Sequence, residues 1–188
     1  MNARIATVLL AAATAFAASG VQAQMRDAIE VPPGELAPAD VDFLQGADSA
    51  NMDQLMLANR AASRTKRPGV HSLADNAHRA YSKADSALRL LAAKKSVDLD
   101  HHVTDRGQQD ADAMLDERGE LDRLYVENMM RDTDDIIGMY EDARDNSPDP
   151  DIRSYADTML GALHDLDRQA NDLYTRETGD DSNQHDDD

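Results

Sequence analysis

The chain has 188 residues, 37 acidic and 19 basic side chains, a formal net charge of −18, and neither cysteine nor tryptophan. A disulfide framework, a thiolate metal site and a cysteine nucleophile are therefore excluded. The clustered Lys and Arg that nucleic-acid affinity requires are missing, and the same negative field opposes docking on anionic lipid. The acids are lopsided, 30 Asp against 7 Glu, although Asp is a mediocre helix former.

Residues 1–23 read as a secretory signal. Arg4 supplies the basic start, Ile5 to Ala18 the apolar stretch, and Val21-Gln22-Ala23 a small-residue exit. The apolar run is shorter than the ~20 residues that span a bilayer, so cleavage between Ala23 and Gln24 is expected, not anchoring. No cysteine follows, so lipid modification is not expected. Removing the segment, whose one charged side chain is Arg4, makes the net charge one unit more negative. A soluble periplasmic or secreted protein with no stable membrane insertion follows.

Residues 24–38 hold Pro32, Pro33, Pro38 and Gly34, which predicts an extended leader. A first helix is expected over about 40–62, with Val41, Leu44, Met52, Leu55 and Ala58 on its apolar face. The basic run Arg64-Thr65-Lys66-Arg67 before Pro68 suits a helix end and a turn. In 69–95, Val70, Ala77, Ala84 and Leu91 recur every seven residues, with Ala74, Tyr81 and Leu88 interleaved. That is the seam of a helix packed on others at a shallow angle. A short helix around 104–117 leads to a fourth over 120–145, carrying Leu121, Leu124, Tyr125, Met129, Ile136, Met139 and Tyr140. Asp149 before Pro150 is a start signal for the last helix, 150–176. Its broad face holds Ile152, Tyr155, Ala156, Met159, Leu160, Leu163, Leu166, Ala170 and Leu173. Residues 177–188 are acidic, have almost no apolar surface, and read as a disordered tail. Five acid-first i, i+4 pairs support helix throughout: Asp75/Arg79, Asp85/Arg89, Glu127/Arg131, Asp149/Arg153 and Asp172/Arg176. The sum is an all-α domain over 39–176, an antiparallel four-helix bundle with an extra short helix.

The chain resembles an exported bacterial family of unknown function, domain of unknown function 4142, related to ferritin-like four-helix bundles. The resemblance lies in Phe43-Leu44 with Gln54-Leu55, in Leu90-Leu91-Ala92-Ala93-Lys94-Lys95-Ser96-Val97, in Tyr125-Val126 with Met129-Met130-Arg131-Asp132, and in Asp149-Pro150 with Tyr155-Ala156. It covers roughly residues 39–175. It implies a Glu in the first helix, Asp-His pairs in the second and fourth, and a His in the last, all facing inward as metal ligands would. In this sequence those positions carry Gln54, Ala80 and Tyr81, Asp132 and Thr133, and Leu166. Only Asp132 keeps the family residue, so the resemblance implies a lost metal site.

The other chemistry-bearing residues give little. His78 lies one turn before Tyr81 and reads as a helix-surface imidazole. His101-His102, near Asp98, Asp100 and Asp105, reads as a solvated loop that would hold a divalent cation only weakly. His71 adds nothing distinctive, His164 falls beside the Leu160/Leu163/Leu166 stripe and reads as surface, and His185 belongs to the terminal charge cluster. Met52, Met56, Met114, Met129, Met130, Met139 and Met159 could in principle bind copper(I), but methionine commonly fills bundle cores. Asp132, if inward, would need a partner such as Thr133 or Tyr125. There is no Gly-x-Ser-x-Gly and no Gly-rich phosphate loop. The expectation is an exported, non-enzymatic helical bundle with a structural or stress-related envelope role. It would have no catalytic residue, cofactor or metal ligand, and a protein partner or weakly held divalent cations are left open. The alternative is a periplasmic cation-binding protein using a residual site near Asp132 and His78 or diffuse acidic surface.

Overall fold

A computed structural model describes residues 36–116 and 120–181. The expected signal with its cut between Ala23 and Gln24, the leader up to residue 35, and the tail from residue 182, including His185, lie outside the described residues. The rest is helical: α1 (Pro38–Arg64), α2 (Pro68–Lys95), α3 (Asp105–Asp116), α4 (Leu121–Asn146) and α5 (Pro150–Asp181), with no strand among the described residues. Three of the four long helices open on proline, whose fixed φ and missing N–H suit a first helical position. Pro38 is one of these, so the last residue assigned to the leader starts α1. At the other end α5 runs through Asp181, into the stretch read as tail. Once a packed helix exists, each further residue adds a hydrogen bond without needing burial.

Contacts run α1–α2, α2–α5, α5–α4 and α4–α1, and α3 lies against α1 and α4. Side-chain partners fix the directions. Along α2 and α5, Asn76 bonds Gln169, Tyr155 reaches the Ala84 carbonyl, and Lys94 meets Asp151, so the two run antiparallel. Along α1 and α4, Phe43 stacks edge-on against Tyr140 while Gln54 meets Asp132, again antiparallel. Residues 96–120, with α3 in their middle, form the single long crossover, a connectivity that ferritin-like bundles also use.

The heptad seam of α2 is buried in full: Val70, Ala74, Ala77, Tyr81, Ala84, Leu88 and Leu91. So is the α5 face from Ile152 to Ala170, with Leu173 half-buried. The first helix departs from expectation. Val41, Met52 and Leu55 are only half-buried, and the inner face follows Asp40, Leu44, Ala47, Asp48, Asn51, Gln54, Ala58 and Ala61. Polar residues share the central positions with Leu44, Leu57 and Ala58, so an apolar count finds Leu44 and Ala58 but misplaces Val41, Met52 and Leu55. Of the five i, i+4 pairs, Asp85–Arg89 forms at 2.9 Å. Asp75 takes His71, Glu127 takes Arg123, and Arg131 takes Asp110 and Asp132. Equally spaced alternatives one turn away or on the neighbouring helix compete for each weak pair.

Two junctions lock the ends. The α2 C-terminus closes with Ser96 in the left-handed region (φ 58°), the Val97 N–H returning to the Ala92 carbonyl at 2.9 Å, the double-bonded arrangement that usually takes glycine. The adjacent Lys94 and Lys95 pair with Asp149 and Asp151 at the start of α5. Asp149 Oδ1 also caps α5, accepting the N–H groups of Asp151 at 2.8 Å and Ile152 at 3.3 Å. Partial burial works to raise the Asp149 pKa, but the Lys95 ammonium and the two backbone N–H groups outweigh it and hold it below the carboxylate norm. Lys94, then Lys95, pull Asp151 down to about 2.

Asp149→Ala should cost about 0.5–2 kcal/mol, the usual range for a lost N-cap, measured by urea denaturation; Asn at 149 should recover most of it. Because both folded-state pKa values lie below the unfolded ones, the clamp's contribution is complete above about pH 4 and is lost as pH falls towards 2. The acid-induced fall in Tm over that window should be shallower in Asp151→Asn. Ser96→Gly, which relieves a left-handed non-glycine residue, should raise stability by about 0.5–1 kcal/mol.

Candidate functional site

Two polar clusters interrupt the bundle, both built on the inner face of α1. The first joins α1, α3 and α4 around Asp132. Gln54 Nε2 donates to Asp132 Oδ2 at 3.0 Å, and Oδ1 receives Arg106 at 3.0 Å and Arg131 at 3.1 Å. The partners are thus an amide and two guanidiniums, not the Thr133 or Tyr125 considered from sequence. Burial pushes the Asp132 pKa up, while Arg131, Arg106 and Gln54 pull against it. A small cleft of about 130 Å³ opens beside it, lined by Asp53, Gln54, Arg106, Asp110 and Asp132 among others. Burial also pushes the Tyr81 phenol well above its ordinary value, with the Thr133 hydroxyl working against it and the Asp132 charge adding to it. Tyr125 is raised by burial, then by Tyr81 and Asp75.

Gln54, Tyr81, Thr133 and Leu166 are all buried, and Ala80 is half-buried. The positions where the family resemblance implies ligands therefore do face the interior, but they present an amide, a phenol, a hydroxyl and a hydrocarbon. The Thr133 hydroxyl is spent on Met129 Sδ at 3.3 Å. Met114, Met129 and Met159 are buried in the core, consistent with filling. His78 is half-buried, His164 is exposed, and His71 pairs with Asp75 at 3.2 Å.

The second cluster joins α1, α2 and the 96–104 loop. The His101 N–H donates to Asp48 Oδ2 at 2.8 Å, and its ring Nδ1 lies 2.7 Å from Asp48 Oδ1. The Asp85 carboxylate completes the group: one ligand atom from each of Asp48, Asp85 and His101 falls within 4.8 Å of the other two. Asp48 is 1% exposed, whereas the His101 side chain is 35% exposed. His101 is held in the left-handed region (φ 48°). Asp98, Asp100, Asp105 and His102 are exposed, as expected of a solvated loop, and His101 departs from that reading. The acids that His101 meets come from α1 and α2. Sequence separation hid them, although placing Asn51 and Gln54 on the inside would have brought Asp48 with them.

A companion latch holds the far end of the loop. Asp53 accepts the Thr104 N–H at 2.7 Å and its hydroxyl at 2.6 Å, and the same hydroxyl caps α3 by accepting the Gly107 N–H at 3.0 Å. A Cβ at Gly107 would overlap the Asp53 carboxylate, so this close approach needs glycine.

Among the described residues, Tyr125 Oη is buried without a hydrogen-bond partner, whereas the Tyr81 hydroxyl has that of Thr133 beside it. Tyr125→Phe should therefore leave stability within about 1 kcal/mol of the parent or raise it. Tyr155 differs: its hydroxyl lies 3.1 Å from that of Tyr140 and 3.3 Å from the Ala84 carbonyl. Tyr155→Phe should cost about 0.5–1.5 kcal/mol. Thermal melts of the two variants read the contrast.

Comparison with known proteins bears on family and fold. No curated protein matches the chain. A crystal structure of a DUF305 fragment from Deinococcus radiodurans superposes with a TM-score of 0.67 at 14% identity, covering 76% of this chain and 99% of that one. At that identity the likeness is one of fold alone. The family model for the domain of unknown function DUF4142 matches residues 11–173, and with the bundle and its interior positions in view, the chain belongs to that family.

Proposed function

We propose that this protein is an exported, non-catalytic helical-bundle protein with a structural or stress-related role in the cell envelope. The observation that carries the non-catalytic part is the filling of the bundle interior. Gln54, Tyr81, Thr133 and Leu166 occupy buried positions that would have to supply carboxylate and imidazole for di-metal chemistry. Amide and hydroxyl oxygens are weak ligands for iron or manganese, and leucine offers none. The one carboxylate there, Asp132, is already engaged by Gln54, Arg106 and Arg131. Export rests on the N-terminal pattern of Arg4, the apolar stretch and Val21-Gln22-Ala23. No described helix is long and apolar enough to cross a membrane.

Expressed from its own N-terminus in a Gram-negative host, the protein should appear in the periplasmic fraction with Gln24 as its first residue by intact mass. Retention in the cytoplasm with the first 23 residues attached would refute export. Purified protein given ferrous iron in air should consume oxygen no faster than iron in buffer; a protein-dependent acceleration abolished in Asp132→Asn would refute the non-catalytic reading.

The alternative of a cation-binding role has one specific observation in its favour, the meeting of His101 with Asp48 and Asp85.

A further inference from the structure

We propose that Asp48, Asp85 and His101 form a three-ligand site for a first-row transition-metal dication of the zinc and manganese class. The inference deepens the cation-binding reading and does not depend on export, since it is tested on the purified chain.

The first argument is geometric. Zinc–oxygen and zinc–nitrogen bonds of about 2.0–2.2 Å hold neighbouring ligands roughly 3–3.5 Å apart. The three ligand atoms lie within 4.8 Å of one another, and the closest pair, His101 Nδ1 and Asp48 Oδ1, at 2.7 Å. Small side-chain rotations bring all three onto one ion. The second argument concerns Asp48 alone. Its Oδ2 is satisfied by the His101 N–H, but Oδ1 is buried with no hydrogen-bond donor. The His101 Nδ1 lies 2.7 Å from Oδ1 without completing a hydrogen bond to it. Two potential ligand atoms thus sit side by side, and a shared cation would satisfy the buried carboxylate oxygen.

The donor set narrows the identity. An imidazole nitrogen with two carboxylates suits zinc, manganese or ferrous iron. Calcium prefers six to eight oxygens, and copper(I) prefers thioether or thiolate. Positioning is asymmetric in a useful way. Asp48 and Asp85 stand on packed helices, and Arg89 holds Asp85 from outside at 2.9 Å. His101 arrives on a loop with a half-open ring, which leaves an entry path and a position for water. The other loop end is fastened separately by Asp53 and Thr104, so the site does not have to hold the crossover by itself.

The test uses chelator-stripped mature protein and zinc as the probe. Calorimetric titration should give one zinc per chain, and zinc at about a hundred times its Kd should raise Tm by about 5–10 °C. His101→Ala, at a half-exposed side chain, should fold normally and bind zinc at least about ten-fold more weakly, and Asp48→Asn likewise. His102→Ala, in the exposed neighbour, should bind as the parent does. Zinc binding undiminished in His101→Ala would overturn the proposal, because the metal would then sit on the acidic surface. So would a Tm rise no greater than that given by magnesium at equal ionic strength, which is screening. Circular dichroism of each variant separates lost binding from lost fold; if Asp48→Asn unfolds, Asp85→Asn supplies the second ligand deletion.

Discussion

The inner face of α1 carries Asp40, Asp48, Asn51 and Gln54 in a core that is mostly aliphatic, methionine and aromatic side chains. A buried polar group costs stability unless it is partnered, so this strip dictates what must approach α1 and where. Gln54 draws Asp132 of α4, and through it Arg106 of α3 and Arg131. Asp48 draws the crossover loop at His101, and Asp53, about a turn and a half further along α1, draws it again at Thr104. The crossover that separates the two helical hairpins is thereby stitched to the bundle by carboxylates of one helix. Apolar packing alone would hold α1 against α2 and α4, but it would not specify where a polar loop of nine residues lies.

Partnering along the strip is uneven, and the unevenness locates the chemistry. Around Asp132 the carboxylate is oversupplied with donors, and positive charge from two guanidiniums already occupies the space a metal would need. Around Asp48 the supply is thinner: one oxygen is served by a backbone N–H, and the other, buried without a hydrogen bond, has a single imidazole nitrogen beside it. Two carboxylates beside the same strip, Asp132 of α4 and Asp48 of α1, thus sit in different electrostatic conditions. The difference arises because α3 delivers arginine to one end of the strip while the loop delivers histidine to the other. The same helix can therefore close one interior site and open another without any change of fold.

Much of the fold was legible in the sequence, for reasons specific to each element. The α2 heptads and the α5 stripe consist of apolar residues facing apolar neighbours, and period alone identifies them. The capping pair Asp149-Pro150 marks a boundary because both residues act locally. The α1 register was legible only in part, since many of its inner positions are polar and the apolar residues Val41, Met52 and Leu55 lie to one side. The site around Asp48 was hidden for a related reason. A loop histidine meets acids more than fifteen and more than fifty positions away, and nothing in its own neighbourhood distinguishes those from Asp98, Asp100 and Asp105. Of the five expected ion pairs only the one at Asp85 forms as spaced, because pairs worth a few tenths of a kcal/mol yield to any competing partner within reach.

The abundance of aspartate also becomes intelligible in part. Aspartate is weak in helix interiors because its short side chain competes for nearby backbone groups. That competition is what Asp149 uses to cap α5, what Asp48 uses to hold the His101 N–H, and what Asp53 uses to hold Thr104. A glutamate at any of these places would carry the same charge on a longer and more flexible arm, and would reach past the backbone it now grips. The shorter acid therefore trades helix propensity for fixed polar joints at helix ends and along the crossover. Along α5 itself the aspartates make shorter-range partners instead, Asp167 accepting the Asn171 amide at 2.7 Å and Asp165 pairing with Arg168.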